Sequence, residues 1–242
     1  GYTGGSTGSS LAFICSVKGY AFHVISSNAF SNEKLDTMKA FGAKLEIIKS
    51  PSGKINSDLI NKMIDRAKQL SKRDDYFFTD QLNNTDVING FEMMGNEIQA
   101  QFDNSIDAFC ASIGTAGAMM GVSNILLKSQ SNIKIVALEP DTAAYYSKGK
   151  KNGKHHVEGI GLGFELPLLN KNNYNEARGI NEQEARMMAR QLAKEEGIFG
   201  GTSTGLNVAG ALQLAKELGR GKNVITLACD TGLKYLNGDL YV

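Results

Sequence analysis

The stretch Ala108-Phe109-Cys110-Ala111-Ser112-Ile113-Gly114-Thr115-Ala116-Gly117-Ala118-Met119-Met120-Gly121 decides the fold. Its first part, Ala108 to Ser112, is a short apolar run and predicts a buried strand. Gly114-Thr115-Ala116-Gly117 is a turn, and the periodic run from Met119 to Lys128 predicts a helix. A helix start leaves backbone N–H groups unpaired and carries partial positive charge. Glycine lets that backbone come close to a guest, and an anion such as phosphate is the natural one. Read alone, the turn is equally an ordinary tight connection between a strand and a helix.

Two further turns share its character. Thr3-Gly4-Gly5-Ser6-Thr7-Gly8 runs into the helix-like segment Leu11 to Val17. Gly200-Gly201-Thr202-Ser203-Thr204-Gly205 runs into Leu206 to Leu218. Three Gly/Ser/Thr turns, each preceding a helix, suggest helix N-termini gathered on one small phosphorylated molecule.

The rest of the chain alternates strand and helix. Ala21–Ser26, Lys44–Ile48, Tyr76–Thr79, Lys134–Leu138 and Asn223–Ala228 read as strands. Helices are expected over 32–41, capped by Ser31, over 57–70, over 87–101, and over 182–196. The last of these begins at Asn181 with Glu184 three residues on, a capping-box spacing. The segment 142–156 reads as irregular, and Gly159 to Gly163 as a glycine loop. This alternation predicts an α/β fold with mostly parallel sheet. A polar break near Gln81 to Asp86 predicts two α/β units with a cleft between them, a smaller domain over 1–85 and a larger one over 86–242. Ligands in such folds sit at the carboxyl ends of the strands, where the glycine turns lie.

Composition narrows the function. Hydrophobic residues make up 42% of the chain, enough for a packed core, which excludes disorder. Lysine and arginine total 26 against 25 acidic residues, so no electrostatic footprint points to nucleic acid. No long uncharged apolar run suggests a membrane partner, and the cytoplasm is the expected location. Cys15, Cys110 and Cys229 are far apart in apolar surroundings and read as buried, reduced thiols. His23, His155 and His156 lack metal-ligand spacing, so no metal site is expected.

The order and spacing of the turns, over nearly all of the chain, resembles the fold-type II (β-family) pyridoxal-phosphate enzymes, most of all the cysteine synthase and cystathionine β-synthase group. In that family a Thr-Ser-Gly-Asn-Thr-Gly loop grips the substrate carboxylate, and Thr3, Gly4, Gly5, Ser6, Thr7 and Gly8 match it. Ser6 stands at the family's asparagine, which bonds the cofactor's ring hydroxyl, and Gly4 at its serine. Gln81 matches a glutamine that also faces the substrate carboxylate. Gly114, Thr115, Ala116, Gly117 and Ala118 match the phosphate cup Gly-Thr-Gly-Gly-Thr, with Ala118 lacking the last hydroxyl. Ser203 matches the serine facing the pyridine nitrogen, and Gly161 lies in the glycine loop at the mouth of the cleft. Asp230 to Tyr235 matches the closing Asp-Ser-Gly-Glu-Arg-Tyr.

The resemblance implies pyridoxal 5′-phosphate as cofactor, an amino acid as substrate and a homodimer as the working form. A neutral hydroxyl at the pyridine nitrogen suits elimination of a β-substituent. The implied reaction removes the leaving group of an activated serine and adds sulfide or a thiol, giving cysteine or a thioether amino acid. The family's Schiff-base lysine lies upstream of the Thr-Ser-Gly-Asn loop, and Lys18, Lys34 and Lys39 do not match its context. The chain is therefore expected to be a fragment without its catalytic lysine, inactive as it stands and with apolar surface exposed. Other readings remain: a non-catalytic binding or regulatory relative, a serine/threonine dehydratase or cysteine desulfhydrase of the same family, or a dinucleotide-binding oxidoreductase. The last lacks a Gly-x-Gly-x-x-Gly fingerprint and leaves two of the three turns without a role.

Overall fold

A computed structural model describes residues 1–53, 57–102, 105–151 and 153–242. Asn152, part of the segment read as irregular, lies outside the described residues. The chain divides into two compact units, Gly1–Gln81 and Leu82–Val242.

In the first unit the elements run α1 (Ser6–Lys18), β1 (His23–Ser27), α2 (Asn32–Ala40), β2 (Lys44–Ile48) and α3 (Ser57–Leu70). β1 and β2 pair in parallel, His23 opposite Lys44 through Ser27 opposite Ile48. Ala12 of α1, Val24 of β1 and Leu35 and Met38 of α2 form the buried cluster, joined by Phe22 and Ala43. Leu59, Met63 and Ala67, at helical spacing on α3, are buried as well. Gly19, in the left-handed region, ends α1, and its N–H bonds the carbonyls at the end of the helix.

Tyr76–Thr79 was expected to be a strand, and it is not one. Its aromatic composition suggests a ladder, but Phe77 is 83% exposed. The edge of β1 is already occupied: Thr3 N donates to Ile25 O and Ile25 N to Gly1 O. Tyr76 contributes its hydroxyl instead, 3.0 Å from His23 Nδ1.

The second unit contains α4 (Asp86–Phe102), β3 (Ala108–Ser112), α5 (Gly117–Ser129), β4 (Lys134–Pro140), α6 (Tyr145–Lys148), β5 (Glu176–Ile180), α7 (Glu182–Gln191), α8 (Thr202–Leu218) and β6 (Val224–Ile225). Among the described residues its strands form one parallel sheet in the order β5-β4-β3-β6. Ala108 and Cys110 of β3 and Val136 and Leu138 of β4 point to one face, where Leu206, Ala209 and Leu214 of α8 and Ala185 of α7 cover them. The alternate residues Phe109, Ala111, Ile135 and Ala137 are equally buried, and α5 packs against β3 and α4. The parallel α/β expectation therefore holds, and the strand–turn–helix unit lies where the opening stretch places it.

Two differences have physical causes. β5 is absent from the sequence expectation because Glu176-Ala177-Arg178-Gly179-Ile180 has two charges and a glycine and only one β-branched residue. It is an edge strand, and Arg178 Nη1 pairs across to Glu217 at 2.8 Å. β6 is shorter than the expected Asn223–Ala228. Beyond Ile225 side chains replace the ladder, with Thr226 Oγ1 donating to Cys110 O at 2.7 Å and Asn207 Nδ2 to Leu227 O at 2.8 Å.

At α7 the Asn181 carboxamide oxygen accepts from Gln183 N and Glu184 N, the cap expected from its position. Asn181→Ala is expected to cost about 1 kcal/mol, read as a lower denaturation midpoint with unchanged slope.

Candidate active site

The loop Thr3–Gly8 starts the first helix. Thr3 is held at the edge of β1 by its N–H bond to Ile25 O, and its Oγ1 accepts from Gly5 N at 3.3 Å. Ser6 and Thr7 then form the first turn of α1. Gln81 comes to this loop from far along the chain: its Nε2 donates to Tyr2 O at 3.0 Å, beside Thr3. The structure thus brings together Thr3, Gly4, Gly5, Ser6, Thr7 and Gln81 within one unit. Gly4 has a tight environment. A β-carbon there would fall inside the Phe30 ring, so the family's serine could not stand at this position unless that ring moved.

In the second unit β3 ends at Ser112 and α5 begins at Gly117. Ala116 adopts φ 71°, a conformation unusual outside glycine, and so turns the chain into the helix. Among the described residues the backbone N–H groups of residues 114–119 have no protein acceptor; the next donor, Met120 N, bonds Ala116 O. Gly114 packs against the glycine loop, and a β-carbon on it would overlap Gly159 O. Gly161 is in the left-handed region at φ 64°, with His155 Nε2 3.3 Å from its carbonyl oxygen.

Ser203 stands in the first turn of α8 and is 7% exposed, flanked by the buried Thr202 and Thr204. The closing segment lies against this turn: Gly201 N donates to Asp230 O and Gly232 N to Phe199 O. Tyr235 OH donates to Asp230 Oδ2 at 3.2 Å, and burial followed by the Asp230 carboxylate pushes its phenol well above the ordinary range. Asn207, fully buried one turn further along α8, accepts from Ser112 N at 2.7 Å. That bond ties the end of the strand before the 114–118 turn to the helix that carries Ser203. Both helices therefore start at the carboxyl end of the sheet.

Cys229 corrects the expectation of a buried thiol, since the residue is exposed after β6; Cys15 is half-buried, and Cys110 alone is fully buried. The Cys229 sulfur nonetheless accepts from Asn207 Nδ2 at 3.3 Å and donates to Leu227 O at 3.9 Å, and desolvation of the thiol raises its pKa. Asn207 and Phe30 escaped the sequence reading. A polar Asn207 amid Leu206, Ala209 and Ala211 was the available signal for the first, since buried amides are hydrogen-bonded. Nothing in the sequence linked Phe30 to Gly4.

The donors fit a phosphorylated pyridine. Unpaired N–H groups at a helix start suit an anion, and the neutral Ser203 hydroxyl suits a ring nitrogen. The sequence pattern of the family described as "Pyridoxal-phosphate dependent enzyme" matches residues 1–230. This chain belongs to that family. Within it, the chain is similar to a cysteine synthase of Staphylococcus aureus (strain N315), with 38% identity over 241 residues, 99% of this chain and 76% of the relative. A crystal structure of the Entamoeba histolytica cysteine synthase superposes with a TM-score of 0.90 at 31% identity, covering 99% of this chain and 70% of that one. The O-acetylserine dependent cystathionine β-synthase of Helicobacter pylori gives a TM-score of 0.91 at 28% identity, covering 100% and 77%. The chain is thus a fold-type II member of the cysteine synthase type, with pyridoxal phosphate as its cofactor, and the dinucleotide reading falls away. Among the described residues no helix is long and apolar enough to cross a membrane.

Proposed function

We propose that this chain carries the binding parts for β-elimination and β-replacement on an amino acid: an activated serine loses its β-substituent, and sulfide or a thiol takes its place. Gly114, Thr115, Ala116, Gly117 and Ala118 hold the cofactor phosphate. The observation that carries this is the run of backbone N–H groups at 114–119 with no protein acceptor among the described residues. Ser203 presents its hydroxyl to the pyridine nitrogen, and Ser6 bonds the ring hydroxyl. When bound, pyridoxal phosphate supplies the electron-accepting ring that stabilises charge at the substrate α-carbon. Thr3, Gly4, Gly5, Thr7 and Gln81 hold the substrate carboxylate, with Gly161 beside the substrate. In this reading residues 1–85 carry the substrate-carboxylate loop and 86–242 the phosphate and pyridine sites of the cofactor. A homodimer acting in the cytoplasm is carried over from the family resemblance.

None of the lysines in this sequence is assigned as the Schiff-base residue. Near the substrate loop, Lys18 closes α1, Lys34 is buried in α2, and Lys39 pairs with Asp36 at 2.9 Å. The 242-residue polypeptide is accordingly proposed to bind cofactor without turning over. A substrate differing from that of the cysteine synthases is favoured by one observation: the Phe30 ring occupies the space of the family's serine.

Titration of the isotope-labelled polypeptide with pyridoxine 5′-phosphate, which lacks the aldehyde, tests the binding reading. The amide signals of residues 114–119 are expected to shift first and furthest. If they stay still while others move, the phosphate assignment is wrong. Turnover of O-acetylserine and sulfide by the same polypeptide would overturn the lysine assignment.

A further inference from the structure

The glycine loop has no ladder to hold it. Among the described residues, residues 159–165 make no backbone–backbone hydrogen bond. Gly159, Gly161 and Gly163 all lie in the left-handed region, so the chain folds back on itself through conformations that favour glycine. Ile160 joins the buried cluster beside the sheet. A side chain supplies the polar contact: His155 Nε2 lies 3.3 Å from Gly161 O. A carbonyl oxygen can only accept, so Nε2 carries the proton of the neutral ring and Nδ1 is a bare acceptor. That Nδ1 is buried with no hydrogen-bond partner among the described residues. An orphaned buried acceptor costs stability, and an apolar side chain of similar size would avoid the cost. What the imidazole adds is the Nε2 donor.

The segments on either side are anchored independently. His156 N donates to Glu182 Oε2 at 3.1 Å, at the start of α7. Leu166 N donates to Tyr146 OH at 2.6 Å. Tyr146 stands on α6, where Tyr146 N and Ser147 N each donate to the buried Glu139 carboxylate at 2.9 Å. Between these anchors the loop meets the 114–118 turn. A β-carbon on Gly161 would lie 2.6 Å from His155 Nε2, and one on Gly114 would lie 2.4 Å from Gly159 O. His155, Gly161, Gly159 and Gly114 therefore form one line of contact.

We propose that His155 is a positioning residue for the phosphate turn. Its Nε2–H holds Gly161, which fixes where the Gly159 carbonyl meets Gly114 and so where the N–H groups of 114–119 aim. The inference rests on the reading of that turn given under Proposed function.

The first test needs neither ligand nor variant. In the isotope-labelled chain the ring-nitrogen signals of His155 report its tautomer. A proton on Nε2 is expected, and a proton on Nδ1 instead overturns the proposal. The second compares His155→Gln, whose amide nitrogen reaches the Nε2 position, with His155→Asn, which reaches only as far as Nδ1. The Gly114 amide signal decides, because Gly114 meets Gly159 and Ile160 rather than the imidazole. It is expected to shift in His155→Asn and to return in His155→Gln. An unmoved signal in His155→Asn, or equal shifts in both variants, overturns the proposal. The third titrates the same chains with pyridoxine 5′-phosphate. Loss of one neutral hydrogen bond is expected to weaken binding about fivefold in His155→Asn, with His155→Gln close to the unaltered chain. Where the unaltered chain binds, an unchanged affinity in His155→Asn overturns the proposal. If the Gly114 signal moves and returns as expected but the ligand leaves 114–119 untouched in every chain, His155 still positions the turn, and the assignment of the turn to phosphate is what fails.

Discussion

Gly205→Ala is expected to lower the thermal midpoint of the second unit by about 5–10 °C, a loss of about 2–3 kcal/mol. The reason is the crossing of α7 and α8. A β-carbon at position 205 would overlap the Ala185 carbonyl oxygen and come within 2.8 Å of Ala189 N. Both are backbone atoms of the facing helix, so no side-chain rotation relieves the clash. The helices must separate, and Leu206 and Ala209, which close the sheet face over Ala108 and Val136, would separate with them. Alanine's higher helix propensity returns about 1 kcal/mol, which is already included in the figure. Gly90→Ala is the control. Gly90 is exposed on the outer side of α4 with nothing within 4 Å of an added β-carbon, so the same substitution is expected to stabilise by up to about 1 kcal/mol. Melting followed by circular dichroism separates the two. A Gly205→Ala protein that melts with the unaltered chain would mean the helix crossing is looser than the packing indicates.

That crossing illustrates what the sequence could and could not disclose. The strand–turn–helix at 108–121 was legible because a short apolar run, a glycine turn and a 3.6-residue period each have a local signature. The cap at Asn181 was legible for the same reason. What failed depended on which neighbour a segment finds. Tyr76-Phe77-Phe78 has strand composition, yet the strand edge beside it was already taken by residues 1–3. Glu176–Ile180 lacks strand composition, yet it pairs with β4 because its charged side chains reach Lys134 and Glu217 at the sheet edge.

The site divides in the same way. The Gly/Ser/Thr turns were visible, since glycine and hydroxyl residues before a helix announce free N–H groups. The supports behind them were not. Phe30 fills the place of a side chain at Gly4 from 26 residues away, and Asn207 reaches Ser112 across 95 residues. Such contacts depend on tertiary placement and leave no periodic trace. They nonetheless govern how the turns work, because a hydroxyl or N–H group is useful only in a fixed direction.

Gly114→Ala is expected to weaken binding of pyridoxine 5′-phosphate by about 100-fold while leaving the unit folded. The added β-carbon would overlap Gly159 O, a backbone atom of the glycine loop. Relieving that overlap moves the turn or the loop by roughly 1 Å, given ordinary carbon–oxygen separations. The N–H groups at 114–119 gain their value from a shared aim, and a displacement of that size costs on the order of 100-fold where geometry is exacting. A 100-fold loss is about 2.7 kcal/mol of binding free energy. Stability should fall far less, because Gly114 is only half-buried and lies outside both β3 and α5. Ala118→Thr is the converse arm. It returns the hydroxyl present in the family's cup, and one added donor to an anion is expected to tighten binding by roughly tenfold. Calorimetric titration of both variants, with inorganic phosphate as a second ligand, distinguishes a damaged phosphate turn from a general loss of ring contacts. Damage to the turn weakens both ligands in Gly114→Ala. If phosphate itself still binds normally there while the pyridine does not, the anion is held elsewhere, and the strand–turn–helix unit has a structural role alone.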